Sequence, residues 1–212
     1  MLQTKSVSHA LWRTLLELNK SSIFKSYFLV GGTALSLQIG HRISEDIDLF
    51  TRQDINKDEI IDFMDKKYAG NFQITNIQNS ILQMIVNDVK VDFVKYDFPL
   101  IEEVFNEEGI RYLGKKDISA MKLLATANRG DQAKDFIDVF FLLKEISLAK
   151  MFDYYKRKYN QTDVSAIKRS LIYFDDVPKN SWLSVKYLNE KPAIGTIKKT
   201  IIDNLRKYNG NG

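Results

Sequence analysis

The sequence predicts an α/β protein of the α+β type, in which a small mixed sheet is followed by a helical C-terminal half. Apolar and polar residues alternate mainly between residues 46 and 96. Such alternation is typical of half-buried strands. From residue 99 onward the apolar residues recur at helical spacing instead. A chain of 212 residues can bury a sizeable core. We expect an α/β core over residues 1–110 and a helical domain over residues 111–212.

Periodicity and turn residues define the elements of the first half. Gly31-Gly32 separates a buried strand from a helix that Gly40 closes, and Asn87-Asp88 forms a tight turn between two strands. The predicted elements are helices over residues 9–20, 33–39 and 57–68 and strands over 27–30, 46–51, 72–77, 81–86 and 90–96.

The second half is predicted to be helical throughout. Asp117 is a suitable N-cap for the first of its helices, which the sequence Arg129-Gly130-Asp131 interrupts. The clearest loop lies at residues 175–179. Helices are expected over residues 117–128, 132–145, 150–159, 164–173 and 196–208.

Composition excludes several classes of site. The chain has no cysteine, so it has neither a disulfide framework nor a thiolate metal site, and a cytoplasmic location is expected. No apolar run approaches the roughly 18–20 residues that span a bilayer, and the N-terminus lacks the features of a secretory signal. We therefore expect no membrane partner.

Charge is divided unevenly along the chain. The net charge is +4, but residues 144–212 carry 14 Lys and Arg against 7 Asp and Glu, whereas residues 1–143 carry 17 against 20. A basic surface on the helical half suits a polyanionic partner such as RNA. A solvated basic surface without a partner explains the same charges, and both interpretations remain open.

Three acidic residues are candidate metal ligands. Asp46 and Asp48 are two apart on a predicted strand, so their carboxylates lie on one face. Asp92 lies on another predicted strand, and joins them if the two strands pair. Carboxylate oxygens suit Mg²⁺ or Mn²⁺. The first pair alone favours exposed surface acids, whereas the addition of Asp92 favours a metal site.

The turn formed by Gly31, Gly32 and Thr33 stands where a strand gives way to a helix. Glycine allows the backbone to approach a ligand, and free N–H groups at a helix N-terminus bind phosphate. A plain helix start with Thr33 as N-cap is the alternative. No Gly-Lys-Ser/Thr follows, so the turn is not a P-loop.

Basic residues supply further candidates. Lys122 and Arg129 are seven residues apart and lie on nearly the same face of the predicted helical segment. Two cations aligned in this way could bind a triphosphate, or they could belong to an exposed helix face. Lys134 and Asp138 form an i,i+4 pair. They are candidates for nucleotide binding, and a structural salt bridge between two helices is the alternative. His41 and Arg42 are either phosphate or base contacts or simply exposed.

Taken together, the glycine turn, the three acids and the basic residues resemble the motifs of the nucleotidyltransferase fold of the DNA polymerase β superfamily. Within that superfamily they resemble more closely the AbiEii/AbiGii abortive-infection toxins, the toxin half of type IV toxin–antitoxin pairs. Two departures from the wider superfamily are the long interval between Gly32 and Asp46 and the threonine at position 33, where many relatives have serine. The matching stretches are residues 28–50, 91–93, 117–143 and 171–182.

The resemblance implies transfer of a nucleoside monophosphate from a nucleoside triphosphate (NTP), with RNA, in particular tRNA, as the expected acceptor and a cognate antitoxin encoded nearby. The helical domain is expected to complete the nucleotide site. Two alternatives stay open: transfer to a protein or small molecule, and a non-catalytic nucleotide-binding interaction module. The implied catalytic residues are Asp46, Asp48, Asp92 and Lys122, of which the three acids are also metal ligands. Among the nucleotide-binding residues, the resemblance implies Gly32, Thr33, Lys122, Lys134 and Asp138. The residues themselves add Gly31, Arg42, Ser44 and Arg129 as candidates.

Overall fold

A seven-stranded mixed sheet organises the first of the two units into which the chain divides. The computed structural model describes residues 1–128 and 130–210. The first unit comprises Met1–Phe98 and Val104–Leu113, and the second comprises Pro99–Glu103 and Gly114–Gly212. Within the described residues, no helix combines the length and the apolar character that crossing a bilayer requires.

The first unit confirms the predicted mixed sheet. Its strand order is β3-β4-β5-β2-β1-β7-β6, in which β2/β5 and β1/β7 are parallel pairs. The elements are α1 (His9–Lys20), β1 (Phe28–Leu29), α2 (Gly31–Ile39), β2 (Asp46–Thr51), α3 (Lys57–Tyr68), β3 (Phe72–Gln78), β4 (Ile81–Val86), β5 (Val89–Lys95), β6 (Phe105–Glu107) and β7 (Ile110–Tyr112).

Two features of this unit differ from the prediction. Helix α2 begins at Gly31, with Val30 as its N-cap, so the alternative in which Thr33 is the cap is wrong. Strands β6 and β7 lie in a segment predicted to be helical. Each has three residues, which is too short for alternation to be detected.

Alternation along the central strands creates one core face and one polar face. On β2, Ile47 and Leu49 are buried, while Asp46 and Asp48 on the opposite face are only partly covered. On β5, Phe93 belongs to the core face, where its ring stacks on that of Phe24 at a centroid distance of 5.3 Å. This packing fixes which face of β2 and β5 presents the acidic side chains.

The turn between β4 and β5 has the predicted form. Asn87 and Asp88 have φ of 49° and 63°, and two positive φ values in a two-residue connection suit the twist of an antiparallel hairpin. Antiparallel pairing then sets Gln83 opposite Asp92. The turn therefore determines which β4 side chain lies beside the acid of β5.

The second unit is helical, as predicted. Helix α4 packs against α5, α6 and α7. A short helix begins at Lys179, where the sequence predicts the end of a loop. The helices are α4 (Lys115–Asn128), α5 (Ala133–Leu142), α6 (Leu148–Tyr159), α7 (Ser165–Ile172), α8 (Lys179–Ser184) and α9 (Ile194–Gly210).

Asp117 does not cap α4, contrary to the prediction, but lies fully buried in its first turn. Its carboxylate accepts hydrogen bonds from the backbone N–H of Ile101 at 3.0 Å and of Glu102 at 3.1 Å, and lies 2.6 Å from Lys158 Nζ. The same ammonium donates to the carbonyl of Pro99 at 3.1 Å. The buried ion pair therefore attaches the segment 99–103 to helices α4 and α6.

Candidate functional site

Parallel pairing of β2 with β5 brings the candidate acids together. The register sets Asp48 directly opposite Asp92 and Asp46 opposite Lys90. Residues directly opposite each other on neighbouring strands share a face of the sheet. The sequence placed Asp92 with the other two acids only on the condition that their strands pair, and the register shows that they do. The same register adds Lys90, a cation that the sequence analysis did not identify.

The two oxygens of Asp92 have different surroundings. Its Oδ2 accepts a hydrogen bond from Gln83 Nε2 at 2.8 Å and lies 3.0 Å from Lys90 Nζ. Its Oδ1 is buried and has no hydrogen-bond partner within the part of the chain that the structure describes. A buried carboxylate oxygen ordinarily has a partner, so Oδ1 is positioned for a ligand.

Lys90 is electrostatically coupled to all three acids. Burial disfavours its charged form, but the hydrogen bond to Asp92 and the charges of Asp92, Asp46 and Asp48 outweigh burial and raise the pKa of Lys90 above its ordinary value. Its side chain is 49% exposed. An ammonium therefore neutralises part of the carboxylate charge on this face.

The chemistry of these donors fits a divalent cation that a bound triphosphate also ligates. Among residues 1–128 and 130–210, no group of three or more His, Cys, Asp or Glu side chains is arranged to hold a metal ion by itself. Mg²⁺ is commonly bound by one or two carboxylates together with substrate phosphates. Asp48 and Asp92 lie opposite each other on neighbouring strands, and Asp92 Oδ1 is available. Metal ligation by Asp46, Asp48 and Asp92 stays a prediction.

Gly31 lies directly against the carboxylate of Asp48. A Cβ at position 31 would lie 2.5 Å from Asp48 Oδ2, which is far inside van der Waals contact. Gly31 also has φ of 69°, a left-handed conformation that favours glycine. The backbone N–H of Val30 donates to the carbonyl of Asp48 at 2.9 Å, which holds the strand and the turn together. Glycine at position 31 therefore permits the observed position of the acid.

We expect Gly31→Ala to lower catalytic activity by about 100-fold, because it displaces Asp48, which is predicted to be catalytic, and a displacement of about 1 Å at such a group has effects of that size. Gly109→Ala is the matched control. Gly109 also has a positive φ, of 81°, but no atom lies within 4 Å of its Cβ position. Initial rates and thermal unfolding of both variants check the prediction. Equal losses of activity would mean that backbone strain, and not displacement of Asp48, is responsible.

Arg42 lies over the second glycine of the turn. A Cβ on Gly32 would lie 2.2 Å from the Arg42 guanidinium. Arg42 donates to the carbonyl of Ile43 at 3.1 Å and to the hydroxyl oxygen of Ser44 at 3.4 Å. His41 and Arg42 are 3% and 4% exposed, so the alternative that they are simply exposed is wrong. The segment of residues 40–45, between α2 and β2, therefore folds back onto the two glycines.

Thr33 links this segment to the strand of the acids. Its hydroxyl donates to the carbonyl of Asp46 and is hydrogen-bonded to the Ser44 hydroxyl at 2.8 Å. Thr33 is 1% exposed. Its hydroxyl thus connects the start of α2 to the start of β2.

Lys122, Asp135 and Asp138 form a buried cluster in the second unit. Lys122 Nζ lies 2.7 Å from Asp135 Oδ1 and 2.6 Å from Asp138 Oδ2, and all three side chains are at most 5% exposed. One ammonium facing two carboxylates joins α4 to α5. The salt bridge between two helices, an alternative that the sequence left open, therefore exists and is centred on Lys122.

Lys134 and Arg129 are the other two residues of the second half that were predicted to bind the nucleotide. Lys134 is half-buried in the first turn of α5, and Arg129 lies outside the described residues. The roles of Lys122, Arg129, Lys134 and Asp138 in nucleotide binding stay predictions.

Gln83 is the residue beside the acids that sequence reasoning missed, together with Lys90. The available signals were simple ones. Gln83 is the single polar residue in the strand sequence Ile-Leu-Gln-Met-Ile-Val, and Lys90 is two residues before Asp92 on a strand, which places both on one face. Neither signal indicates a site until the strand pairing is known.

Comparison with known proteins identifies relatives over most of the chain. Residues 13–193 match the family model described as "Nucleotidyl transferase AbiEii toxin, Type IV TA system". An uncharacterized protein of Aquifex aeolicus (strain VF5) is 35% identical over 158 residues, which are 73% of this chain and 76% of that protein.

Two solved structures are similar over nearly their whole length. A putative nucleotidyltransferase from H. pylori has a TM-score of 0.62 at 19% identity, covering 95% of this chain and 93% of that one. JHP933 from Helicobacter pylori has a TM-score of 0.55 at 19% identity, covering 100% and 97%. Likeness at this identity concerns the fold, and the predicted nucleotidyltransferase-like fold is confirmed.

Proposed function

Since this chain belongs to the AbiEii nucleotidyl transferase toxin family of type IV toxin–antitoxin systems, and is accordingly a nucleotidyltransferase, we propose that it moves a nucleoside monophosphate from an NTP to RNA, with tRNA as the acceptor. The observation that carries the proposal is the pair Asp48 and Asp92, in register on neighbouring strands, with Gly31 against Asp48. Membership of the family also implies an antitoxin, which we expect to be encoded nearby.

The reaction breaks the bond between the α- and β-phosphates, forms a new bond from the α-phosphorus to an acceptor hydroxyl, and releases pyrophosphate. Bound Mg²⁺ would neutralise charge on the phosphates and orient them for in-line displacement. In our proposal Asp46 and Asp48 would hold one divalent ion at the triphosphate. Asp92 would hold a second ion and help to remove the proton of the acceptor hydroxyl.

The glycine turn and Arg42 would bind the phosphates of the NTP. The N–H groups of Gly31, Gly32 and Thr33 belong to the first turn of α2, where backbone donors and the helix dipole favour anions. Arg42, held against Gly32, adds a positive charge beside that turn. Ser44 supports Arg42 through its hydroxyl oxygen.

An RNA acceptor is supported by the charge of the second half. Residues 144–212 carry twice as many basic as acidic residues, 14 against 7. Contacts to the phosphates of RNA supply affinity through charge, and this affinity falls as salt rises. Transfer to RNA is therefore expected to weaken between low and physiological salt.

The test is to incubate the purified protein with each NTP, Mg²⁺ and total tRNA. We expect label from an α-³²P NTP, but not from a γ-³²P NTP, to appear in RNA. Label from the γ-position alone would indicate phosphoryl rather than nucleotidyl transfer. Label in the protein band alone would overturn the RNA acceptor, and label in no product would contradict the proposed reaction.

A further inference from the structure

A row of four polar side chains crosses the sheet at the position of the acids. The register pairs Asn76 with Gln83, Gln83 with Asp92, and Asp92 with Asp48. Directly opposed residues share a face, so the row extends from the edge strand β3 to β2. Asn76 and Gln83, the two members nearest the edge strand, carry no charge and hold no ligand in the reaction proposed above.

Hydrogen bonds along this row have a defined direction. Asn76 Nδ2 donates to Gln83 Oε1 at 2.9 Å, and Gln83 Nε2 donates to Asp92 Oδ2 at 2.8 Å. An amide side chain has one accepting oxygen and one donating nitrogen. Because Asn76 engages the oxygen of Gln83, the nitrogen of Gln83 is directed toward Asp92.

These hydrogen bonds determine the orientation of the Asp92 carboxylate. Both donors near this carboxylate, Gln83 and Lys90, contact the same oxygen, Oδ2. The other oxygen, Oδ1, is buried without a hydrogen-bond partner within the described residues. Fixing Oδ2 by two donors fixes the rotation of the group and thereby the direction of Oδ1.

Gln83 and Lys90 differ in how firmly they can hold Asp92. The Lys90 side chain is 49% exposed and sits on a flexible four-carbon stem, whereas Gln83 is partly buried and its amide is itself oriented by Asn76. Side chains that orient metal ligands commonly contribute 10- to 100-fold to metal affinity.

We propose that Gln83, oriented by Asn76, is a positioning residue that directs Asp92 Oδ1 toward the divalent ion. This inference rests on the proposed function, since it assumes that Asp92 is a metal ligand. Gln83 does not touch the reacting atoms and acts through Asp92.

Mn²⁺ binding to the purified protein in the presence of an NTP analogue with a methylene group between the α- and β-phosphates tests the inference without turnover. Electron paramagnetic resonance follows the binding, and the analogue without protein gives the background. The variant Gln83→Met keeps side-chain length and removes the donor, and we expect it to weaken Mn²⁺ binding by about tenfold. Gln78→Met is the matched control. Gln78 is exposed on β3 and makes no side-chain hydrogen bond within the described part of the chain, so its Kd for Mn²⁺ should match that of the wild type.

A double-mutant cycle tests the direction of the relay. Asn76→Leu alone should weaken Mn²⁺ binding in the same sense as Gln83→Met and by a smaller factor. In the Gln83→Met background Asn76→Leu should have no further effect, because the amide that it orients is gone. Additive effects of the two substitutions would overturn the relay.

Steady-state kinetics separate positioning from general damage. In Gln83→Met, the KM for Mg²⁺ should rise by a larger factor than kcat falls, while thermal unfolding stays close to that of the wild type. If Gln83→Met binds Mn²⁺ as tightly as the wild type, while Asp92→Asn weakens Mn²⁺ binding, the inference is overturned and the proposed function stays intact. A wild-type protein that binds no Mn²⁺ in the presence of the analogue would overturn both.

Discussion

Asp48→Asn is expected to reduce nucleotidyl transfer by about a thousandfold or more while the protein stays folded. Metal ions supply several kcal/mol of transition-state charge stabilisation, and each 1.4 kcal/mol corresponds to about tenfold in rate. Asparagine retains the shape of the side chain, so the contact with Gly31 is preserved and only the charge is lost. The rate of AMP, CMP, GMP or UMP incorporation into RNA at saturating Mg²⁺ measures the effect.

Asp62→Asn is the control for this substitution. Asp62 is exposed on α3 and has no predicted part in the reaction, so its loss should leave the rate within about twofold of the wild type, the range of ordinary surface changes. Circular dichroism of both variants verifies folding. A folded Asp48→Asn protein with wild-type activity would remove the metal role of Asp48.

Lys158→Met is expected to destabilise the second unit by about 3–5 kcal/mol, because it leaves the carboxylate of Asp117 buried without its charge partner. For a protein of this size the change corresponds to a fall in melting temperature of about 10 °C. Trp182 is buried in the second unit, and its fluorescence in a Trp12→Phe background reports unfolding there. Urea titration gives the free energy of unfolding.

A partly exposed ion pair of the same segment provides the comparison. Lys116 Nζ lies 3.2 Å from Glu102 Oε2, and the Lys116 side chain is 48% exposed. Lys116→Met should cost less than about 1 kcal/mol, the usual size of a surface pair. If Lys158→Met costs no more than Lys116→Met, the buried pair does not hold the segment as described.

The local pattern of apolar and polar residues was sufficient to predict much of the fold. Helix α3 and strand β2 begin and end where the sequence predicts, because alternation and helical spacing are strong there and polar residues bound each element. Strands β6 and β7 were missed because three residues carry too little periodicity. Asp117 was misassigned because an acid at a helix start has the local signature of a cap, whereas its partner Lys158 is 41 residues away.

The candidate site was predicted residue by residue, and its arrangement was not. Spacing alone places Asp46 and Asp48 on one face, since that inference needs only the geometry of a single strand. The proximity of Asp48 to Asp92 depends on which strands pair and in which register, and pairing is set by the packing of the whole sheet. Gln83 could not be identified before that register was known.

The attachment of residues 99–103 to the helical unit has a consequence for dissecting the protein. Because Pro99–Glu103 belongs to the second unit and Val104–Leu113 to the first, the polypeptide passes between the units three times. A fragment that starts at Gly114 would lack the carbonyl and the amides that now engage Lys158 and Asp117. We therefore expect the helices to fold as an independent module only when the pentapeptide is restored, by fusion to the fragment or by addition in trans.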